Sequence, residues 1–182
     1  MAGLREAWAY NDAAVSLLTP ILEQAHGMSV AEVAKRDLFA PLGIDRFDAQ
    51  RDAAGHVMAY MGLRLRARDA LKLALVMCHG GVWNQVRILP QPWVTDSLAC
   101  HASPNWRFSQ VSNPGYGYLW FNGTMAGQRV AWAWGYGGQV AMVVPALEVV
   151  IVTTATSPPV AELSTQVDAV MGLIARIIRA AA

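Results

Sequence analysis

The stretch that decides the fold is Gln128–Ala155, QRVAWAWGYGGQVAMVVPALEVVIVTTA. It contains three short segments rich in aromatic and β-branched residues, separated by the glycines of GYGG (135–138) and by Pro145. Segments of this length and composition are typical of β-strands, and the short breaks between them favour antiparallel neighbours. The stretch therefore predicts an antiparallel meander of three strands.

The flanking segments extend this pattern in both directions. On the N-terminal side, GYGYLWF (115–121) predicts another strand, and Phe121-Asn122-Gly123-Thr124 predicts a tight turn. On the C-terminal side, Ser157-Pro158-Pro159 predicts the end of the sheet. Apolar residues then recur at helical spacing and predict a closing helix with one apolar face: Val167, Val170, Met171, Ile174, Ile177 and Ile178.

The first hundred residues have a helical pattern. A helix is predicted over 13–24, with Asn11 or Asp12 as its cap, and Ser29 with Glu32 predicts a capping box for a second helix. The polar, irregular segment 45–60 predicts a surface loop. Two further helices are predicted, one from near Arg66 to the Gly80-Gly81 pair and one in ILPQPWVTDSL (88–98), where proline stands in the first turn.

Helices followed by a strand meander and a final helix indicate an α+β fold rather than alternating βαβ units. We expect a helical part over 1–104 and a part made of antiparallel strands plus the C-terminal helix over 105–182. The two parts should form one compact unit that is an incomplete domain.

Composition excludes several classes of function. The chain of 182 residues is 54% hydrophobic and 15% charged, with a formal net charge of +1 and no block of like charge. It therefore has neither the composition of a disordered chain nor a charge that would attract nucleic acid. The longest apolar run, AMVVPALEVVIVTTA (141–155), is interrupted by Pro145 and Glu148 and is too short to span a bilayer. The low charged content indicates an apolar surface that accepts a partner.

The sequence predicts no metal site and no cofactor. Cys78-His79 and Cys100-His101 are the combinations that could suggest zinc. However, zinc ligands that share a local segment are usually separated by two to four residues, and adjacent side chains do not easily reach the same ion.

Several stretches, in the same order along the chain, resemble the serine hydrolases of the β-lactamase and penicillin-binding-protein family, especially the class C β-lactamase-related esterases and amide hydrolases. WAYND (8–12) with the helix pair ending in Pro-Leu-Gly resembles the family's Tyr-x-Asn loop. GLRLRARDALKLALVMCHGG (62–81) and the following ILP are similar to its Gly-Leu-x-x-Ser-x-x-Asp segment and Ile-Leu-Pro element. AWGYGGQVAMVVPALEVVIVTT (133–154) resembles its last strands, including the strand that lines the active site.

The resemblance implies roles for particular residues. Tyr10 takes the place of the acid/base tyrosine, and Asp12 stands where asparagine is commoner. Gly135-Tyr136-Gly137 stands at the third motif, usually Lys-Thr-Gly or His-x-Gly, so that the backbone N–H of Gly138 is the expected oxyanion donor. Gly135, Tyr136, Gly137 and Gln139 are the expected substrate-binding residues. A structural interpretation remains open, in which Asn11 or Asp12 only caps a helix and the glycines only permit a bulge.

Two departures from the family pattern concern these same positions. Asp12 would raise, not lower, the pKa of a nearby lysine. Gly135 lacks the basic or imidazole side chain that many members carry there, which argues against a dedicated β-lactamase.

The family's nucleophile motif, Ser-x-x-Lys, is absent from this sequence. The chain has two lysines, and the residues three positions before Lys35 and Lys72 are Glu32 and Asp69. No Gly-x-Ser-x-Gly motif offers a serine by another route. The sequence therefore looks like the C-terminal half of such a hydrolase.

These features predict a protein that is inactive alone. Full-length relatives would hydrolyse a small ester or amide through an acyl-serine, with the missing N-terminal half as the implied partner. The alternative is a non-catalytic module that binds a ligand or peptide through Trp120, Trp132, Trp134 and Tyr136. MAGLREAWAY (1–10) has no secretory pattern, so a cytoplasmic location is expected if Met1 is the native start.

Overall fold

The computed structural model describes residues 8–182, and their order of elements is helices, then a meander, then one long helix. This arrangement confirms the predicted α+β fold. The α-helices are α1 (Asp12–Ser16), α2 (Leu18–His26), α3 (Val30–Ala34), α4 (Ala67–Cys78), α5 (Gln91–Leu98) and α6 (Leu163–Ala181). A π-helical turn, Lys35–Phe39, continues α3.

Five strands form the main antiparallel sheet, in the order β5-β6-β7-β8-β9. Their bounds are β5 (Ser112–Tyr116), β6 (Phe121–Met125), β7 (Gln128–Gly135), β8 (Gln139–Val144) and β9 (Val149–Thr153). Because each strand pairs with its neighbour in sequence, short turns suffice to connect them. The predicted meander is therefore confirmed. Two small ribbons lie outside this sheet: β1 (Phe47–Ala49) with β2 (Leu63–Leu65), and β3 (Val82–Trp83) with β4 (Val86–Arg87).

Both faces of the main sheet are covered by helices. On one face, Met171, Ile174 and Ile178 of α6 are fully buried against Trp132 and Met142. On the other face, α4 and α5 pack on the sheet through a second apolar cluster: Ala74, Met77, Val94, Ala131 and Val143. The alternation of β7 residues between these two clusters follows from the two-residue period of a strand. The division into parts over 1–104 and 105–182 stays a prediction.

The predicted tight turn at Phe121–Thr124 is wrong, because these residues belong to β6. The Asn122 side chain is only 9% exposed, and its amide donates to the carbonyl of Ala99, 3.1 Å away. A Cβ on Gly123 would lie 2.6 Å from Val111, so glycine permits a close approach here and does not mark a turn. The turn that leads into β7 lies at Ala126-Gly127, where both residues have positive φ.

Three further expectations are corrected in detail. The segment 45–60 is not only loop, since it contains β1 and an isolated bridge between Arg51 and Val57. The helix predicted over 13–24 is divided at Leu17 into α1 and α2. In α6, Ile177 is 39% exposed and lies outside the packed face.

The helix ends follow the predicted capping chemistry. Asn11 is the cap of α1, and its side chain accepts a hydrogen bond from the N–H of Ala14 at 3.0 Å. Ser29 and Glu32 form the predicted capping box. Gly80 follows α4 with φ of 61°, a left-handed conformation that glycine adopts without strain. Within residues 8–182, no helix has the length and apolarity needed to cross a membrane.

Candidate active site

Tyr10 lies immediately before α1 and is half exposed. Its ring stacks on Trp106, with centroids 5.0 Å apart and planes at 28°. Trp8 contacts both rings, at 6.3 Å from Tyr10 and 5.8 Å from Trp106. Tyr10 is therefore held by aromatic packing while about half of the residue stays exposed.

A continuous series of rings connects Tyr10 to the centre of the sheet. Trp106 stacks on Phe121 at 5.4 Å, and Phe121 stacks on Trp132 at 5.6 Å across the pair of strands β6 and β7. Since Trp132 has no exposed surface, this end of the series is fixed in the core. The position of Tyr10 is thus determined by the sheet as well as by α1.

Asp12 sets the electrostatics around Tyr10. Partial burial, a hydrogen bond with the Asp12 carboxylate and the negative charge of that group together raise the pKa of Tyr10 to about 12. Burial, and then the charge of Asp12, also raise the pKa of Tyr116. One carboxylate therefore acts on two phenols and favours their neutral forms. At neutral pH the Tyr10 phenol is therefore protonated.

The GYGG segment forms the hairpin turn between β7 and β8. Gly135 pairs with Gln139, and Gly137 and Gly138 have φ of 77° and 94°, which side chains rarely tolerate. The Gly138 N–H donates to the Gly135 carbonyl at 3.3 Å, a long hydrogen bond. Gly137 and Gly138 are buried, whereas Tyr136 is 47% exposed.

This turn is hydrogen-bonded to β9, to the segment that follows β9 and to α6. Thr153 Oγ1 donates to the Gly138 carbonyl (2.7 Å), and the Tyr136 hydroxyl donates to the Pro158 carbonyl (3.2 Å). Gln166 Nε2 donates to the carbonyls of Gly137 (2.7 Å) and Thr156 (2.8 Å). In addition, the Gln139 side chain donates to the carbonyl of Ala155 and accepts from the Ala155 N–H at 3.2 Å. The turn is therefore pre-organised by contacts from three directions.

The structure thus brings the sequence-predicted residues together in two groups. Tyr10 and Asp12 form the first group, and Gly135–Gln139 form the second. Among residues 8–182, no hydrogen bond or aromatic pair joins the two groups directly. Phe108 lies between them: its ring is 5.4 Å from Phe121, which stacks on the Trp106 ring that contacts Tyr10, and 5.4 Å from Trp134, the residue before Gly135.

Trp106, Trp8 and Tyr116 complete the surroundings of Tyr10 but were not predicted from the sequence. Trp106 and Tyr116 follow no helical pattern in the sequence. Trp106 stacks on Tyr10, and the charge of Asp12 acts on Tyr116, although about half of the chain separates the two members of each pair. Only the high aromatic content of 104–121 could have suggested them. Conversely, the expectation that Trp132 could hold a ligand is wrong, because its side chain has no exposed surface.

Lys72 belongs to a cluster of ion pairs and hydrogen bonds that has a structural role. Its ammonium lies 3.1 Å from the Asp69 carboxylate and donates to the Gly43 carbonyl at 3.0 Å. Arg66 also binds Asp69, at 2.5 Å, and its hydrogen bond is the main cause that lowers the pKa of this buried carboxyl group. The cluster connects α4 to the Pro-Leu-Gly corner. Residues 8–182 contain no group of three or more His, Cys, Asp or Glu side chains placed to bind a metal ion.

Comparison with solved structures shows the same fold in two proteins. The "Putative 6-aminohexanoate-dimer hydrolase from Bacillus anthracis" matches with a TM-score of 0.74 and 20% identity over 99% of this chain and 46% of the other. The octameric penicillin-binding protein homologue from Pyrococcus abyssi matches with a TM-score of 0.69 and 17% identity over 98% of this chain and 44% of the other. This chain therefore spans about half the length of these proteins. Comparison with curated protein sequences finds no match.

The family profile described as Beta-lactamase matches residues 4–175. This range includes the loop that carries Tyr10, the cluster around Asp69, the GYGG turn and most of α6. It covers almost the whole chain and agrees with the fold of the two solved structures. The chain therefore belongs to the β-lactamase family.

Proposed function

We propose that this chain provides the C-terminal part of the active site of a serine hydrolase, which cleaves a small ester or amide through an acyl-serine, and that the chain alone lacks this activity. The observation that carries the proposal is the Tyr10 phenol, held half exposed beside Asp12 with a pKa of about 12. Such a phenol has the geometry of an acid/base group, but no Ser-x-x-Lys motif in the sequence supplies a nucleophile.

The protonation state of Tyr10 suits protonation of the leaving group better than removal of a proton from the serine. With a pKa of about 12, the phenol holds its proton at neutral pH and can give it to a leaving alkoxide or amide nitrogen. To accept a proton from a serine, the phenol would need a nearby cation to lower its pKa. A lysine one turn after the serine would be such a cation, so the missing motif would supply both the nucleophile and the charge that adjusts Tyr10.

The GYGG turn would form the opposite wall of the site. Gly135, Tyr136, Gly137 and Gln139 are proposed to face substrate, and the Gly138 N–H is proposed to stabilise the oxyanion. This N–H is buried and bonded to the Gly135 carbonyl at 3.3 Å, so the role requires a local change at the turn. Because that bond is long, an anionic oxygen would be the stronger acceptor.

The residues of the turn also favour an uncharged substrate. Gly135 has no side chain, and no cation lies among Gly135–Gln139 to bind a substrate carboxylate. A neutral ester or amide is therefore a better substrate than an anionic β-lactam antibiotic.

The experiment compares the chain alone with a fusion. An N-terminal segment carrying Ser-x-x-Lys, taken from another hydrolase of the family, is joined before Trp8. We expect the chain alone to give no burst with p-nitrophenyl butyrate or nitrocefin and no fluorophosphonate label. The fusion should be labelled at its serine and should turn over the ester faster than nitrocefin.

Two variants of the fusion separate chemistry from folding. Replacing the motif serine by alanine should abolish the label, whereas Tyr10→Phe should retain part of the label and lower turnover by 10²–10⁴-fold, the usual range for a lost acid/base group. Tyr118→Phe, another half-exposed tyrosine, is the matched control and should be neutral. Labelling of the unfused chain, or a fully active Tyr10→Phe fusion, would refute the proposal.

A further inference from the structure

We propose that a groove on the α5 side of the sheet is a second binding site, which takes a small amphipathic monocarboxylate. The groove has a volume of about 490 Å³, within the usual range for small-molecule sites. Its floor is formed by β6 and β7, one wall by the end of α5 and the residues that follow, and the other wall by Pro145 and Ala146.

The floor presents polar groups from two adjacent strands on one face. Asn122 lies opposite Ala131, and Thr124 lies opposite Arg129, so all four share the face that α4 and α5 cover elsewhere. Asn122 is 9% exposed, and its amide nitrogen is fixed by the bond to the Ala99 carbonyl. The amide is therefore a rigid part of the floor.

Arg129 is the cation of this groove. Arg129 is exposed and lines the groove, no carboxylate residue lines it, and Arg129 forms no salt bridge within the part of the chain that the structure describes. A guanidinium can donate two parallel hydrogen bonds to a carboxylate. The charge of the groove thus selects an anion.

The remaining lining decides what kind of anion fits. Most of the exposed surface of the groove is apolar, and the apolar lining residues that are not buried are Leu98, Pro145 and Ala146. One arginine with an apolar wall suits a ligand with a single charged end and a hydrocarbon body, and it suits a doubly charged phosphate poorly. These features together define the ligand as an amphipathic monocarboxylate.

The groove is separate from the candidate active site. Arg129 lies near the start of β7 and Gly135 at its end, six residues or about 20 Å apart along the strand. The rings that lead to Tyr10 belong to the α6 face of the sheet, whereas Asn122 and Arg129 lie on the opposite face. Binding here therefore needs no catalytic step.

Octanoate and its neutral analogue octanamide are the probes, and isothermal titration of the chain measures their affinity. We expect octanoate to bind saturably and at least tenfold more tightly than octanamide, because only the carboxylate pairs with Arg129. Arg129→Gln should weaken octanoate binding about tenfold and leave octanamide unchanged. Arg107→Gln is the matched control, since Arg107 is exposed and lies outside the groove.

A second measurement does not depend on Arg129. Cys100 lines the groove and is exposed, so bound octanoate should slow its alkylation by iodoacetamide several-fold, while the half-buried Cys78 serves as internal reference. Ala146→Trp, on the exposed wall, should block the groove and remove this protection.

Several outcomes would overturn the proposal. They are equal affinity for octanoate and octanamide, wild-type octanoate affinity in Arg129→Gln, or unchanged Cys100 alkylation in the presence of octanoate. Tighter binding of a peptide with a free C-terminal carboxylate than of octanoate would also overturn it, because the ligand would then be a protein terminus.

Discussion

Tyr10 and Trp106 stack with ring centroids 5.0 Å apart and planes at 28°, although one residue precedes α1 and the other precedes the sheet. The stack covers part of the phenol, and Tyr10 as a whole remains about half exposed. It also explains why burial is the largest cause of the raised pKa of Tyr10, ahead of Asp12. The sheet therefore influences the chemistry of a group that lies outside it.

Asp12→Asn should lower the pKa of Tyr10 below its value of about 12 but keep it above 10.0, because burial against Trp106 remains. The pKa of Tyr116 should fall as well, since Asp12 acts on both phenols. NMR titration of the tyrosine Cζ carbons measures each phenol separately. Asp168→Asn, at an exposed position on α6, is the control and should shift neither. An unchanged pKa of Tyr10 in Asp12→Asn would show that Asp12 has no influence on it.

The meander could be predicted because its signals are local. β-Branched and aromatic residues are frequent in β7, β8 and β9, and Gly127, Gly137, Gly138 and Pro145 stand in the turns next to β7 and β8. The Asn122-Gly123 pair was misassigned because tertiary contacts determine it. The amide of Asn122 binds Ala99, and Val111 fills the space that a Gly123 side chain would take. No pattern within a short window contains those partners.

The site was predictable in part for the same reason. Tyr10 and the GYGG turn could be located because they belong to short motifs. In contrast, Trp106 and the Gln166 contact with the turn come from distant segments with no motif of their own. Residues that position a site through packing therefore require the structure.

Gly138→Ala should destabilise the protein by about 2–3 kcal/mol. Its φ of 94° is unfavourable for alanine, and the added Cβ would lie 3.0 Å from Val170 Cγ2. Gly127→Ala is the matched control, with φ of 79° and no atom within 4 Å, and should cost only about 1 kcal/mol. Urea unfolding measures both. If Val170→Ala did not recover about 1 kcal/mol in the Gly138→Ala background, the steric part of this explanation would be wrong.

Gln139→Met should reduce the free energy of unfolding by about 2 kcal/mol. The Gln139 amide satisfies both the N–H and the carbonyl of Ala155, and methionine of similar size would leave both groups without these partners. Gln128→Met, at the first residue of β7, is the control and should change stability little. Hydrogen exchange gives a local test, because the Ala155 amide should lose protection in Gln139→Met. Retained protection would mean that Gln139 does not hold this segment.

Asp69→Asn should reduce stability at neutral pH and flatten its dependence on acid pH. The hydrogen bond from Arg66, followed by that from Lys72, lowers the pKa of Asp69 below its usual value of 3.8 in the folded state. As pH falls, Asp69 therefore takes up a proton in the unfolded state before it does so in the folded state. The stabilisation that ionised Asp69 gives to the folded state is complete above the pKa of Asp69 in the unfolded state. It is lost as pH falls through the lower pKa of Asp69 in the folded state. Urea midpoints at about pH 7 and pH 3 measure the effect. The difference between them should be smaller in Asp69→Asn than in wild type, whereas Asp168→Asn should match wild type. An equal pH dependence in Asp69→Asn and wild type would mean that the Asp69 cluster contributes nothing to acid unfolding.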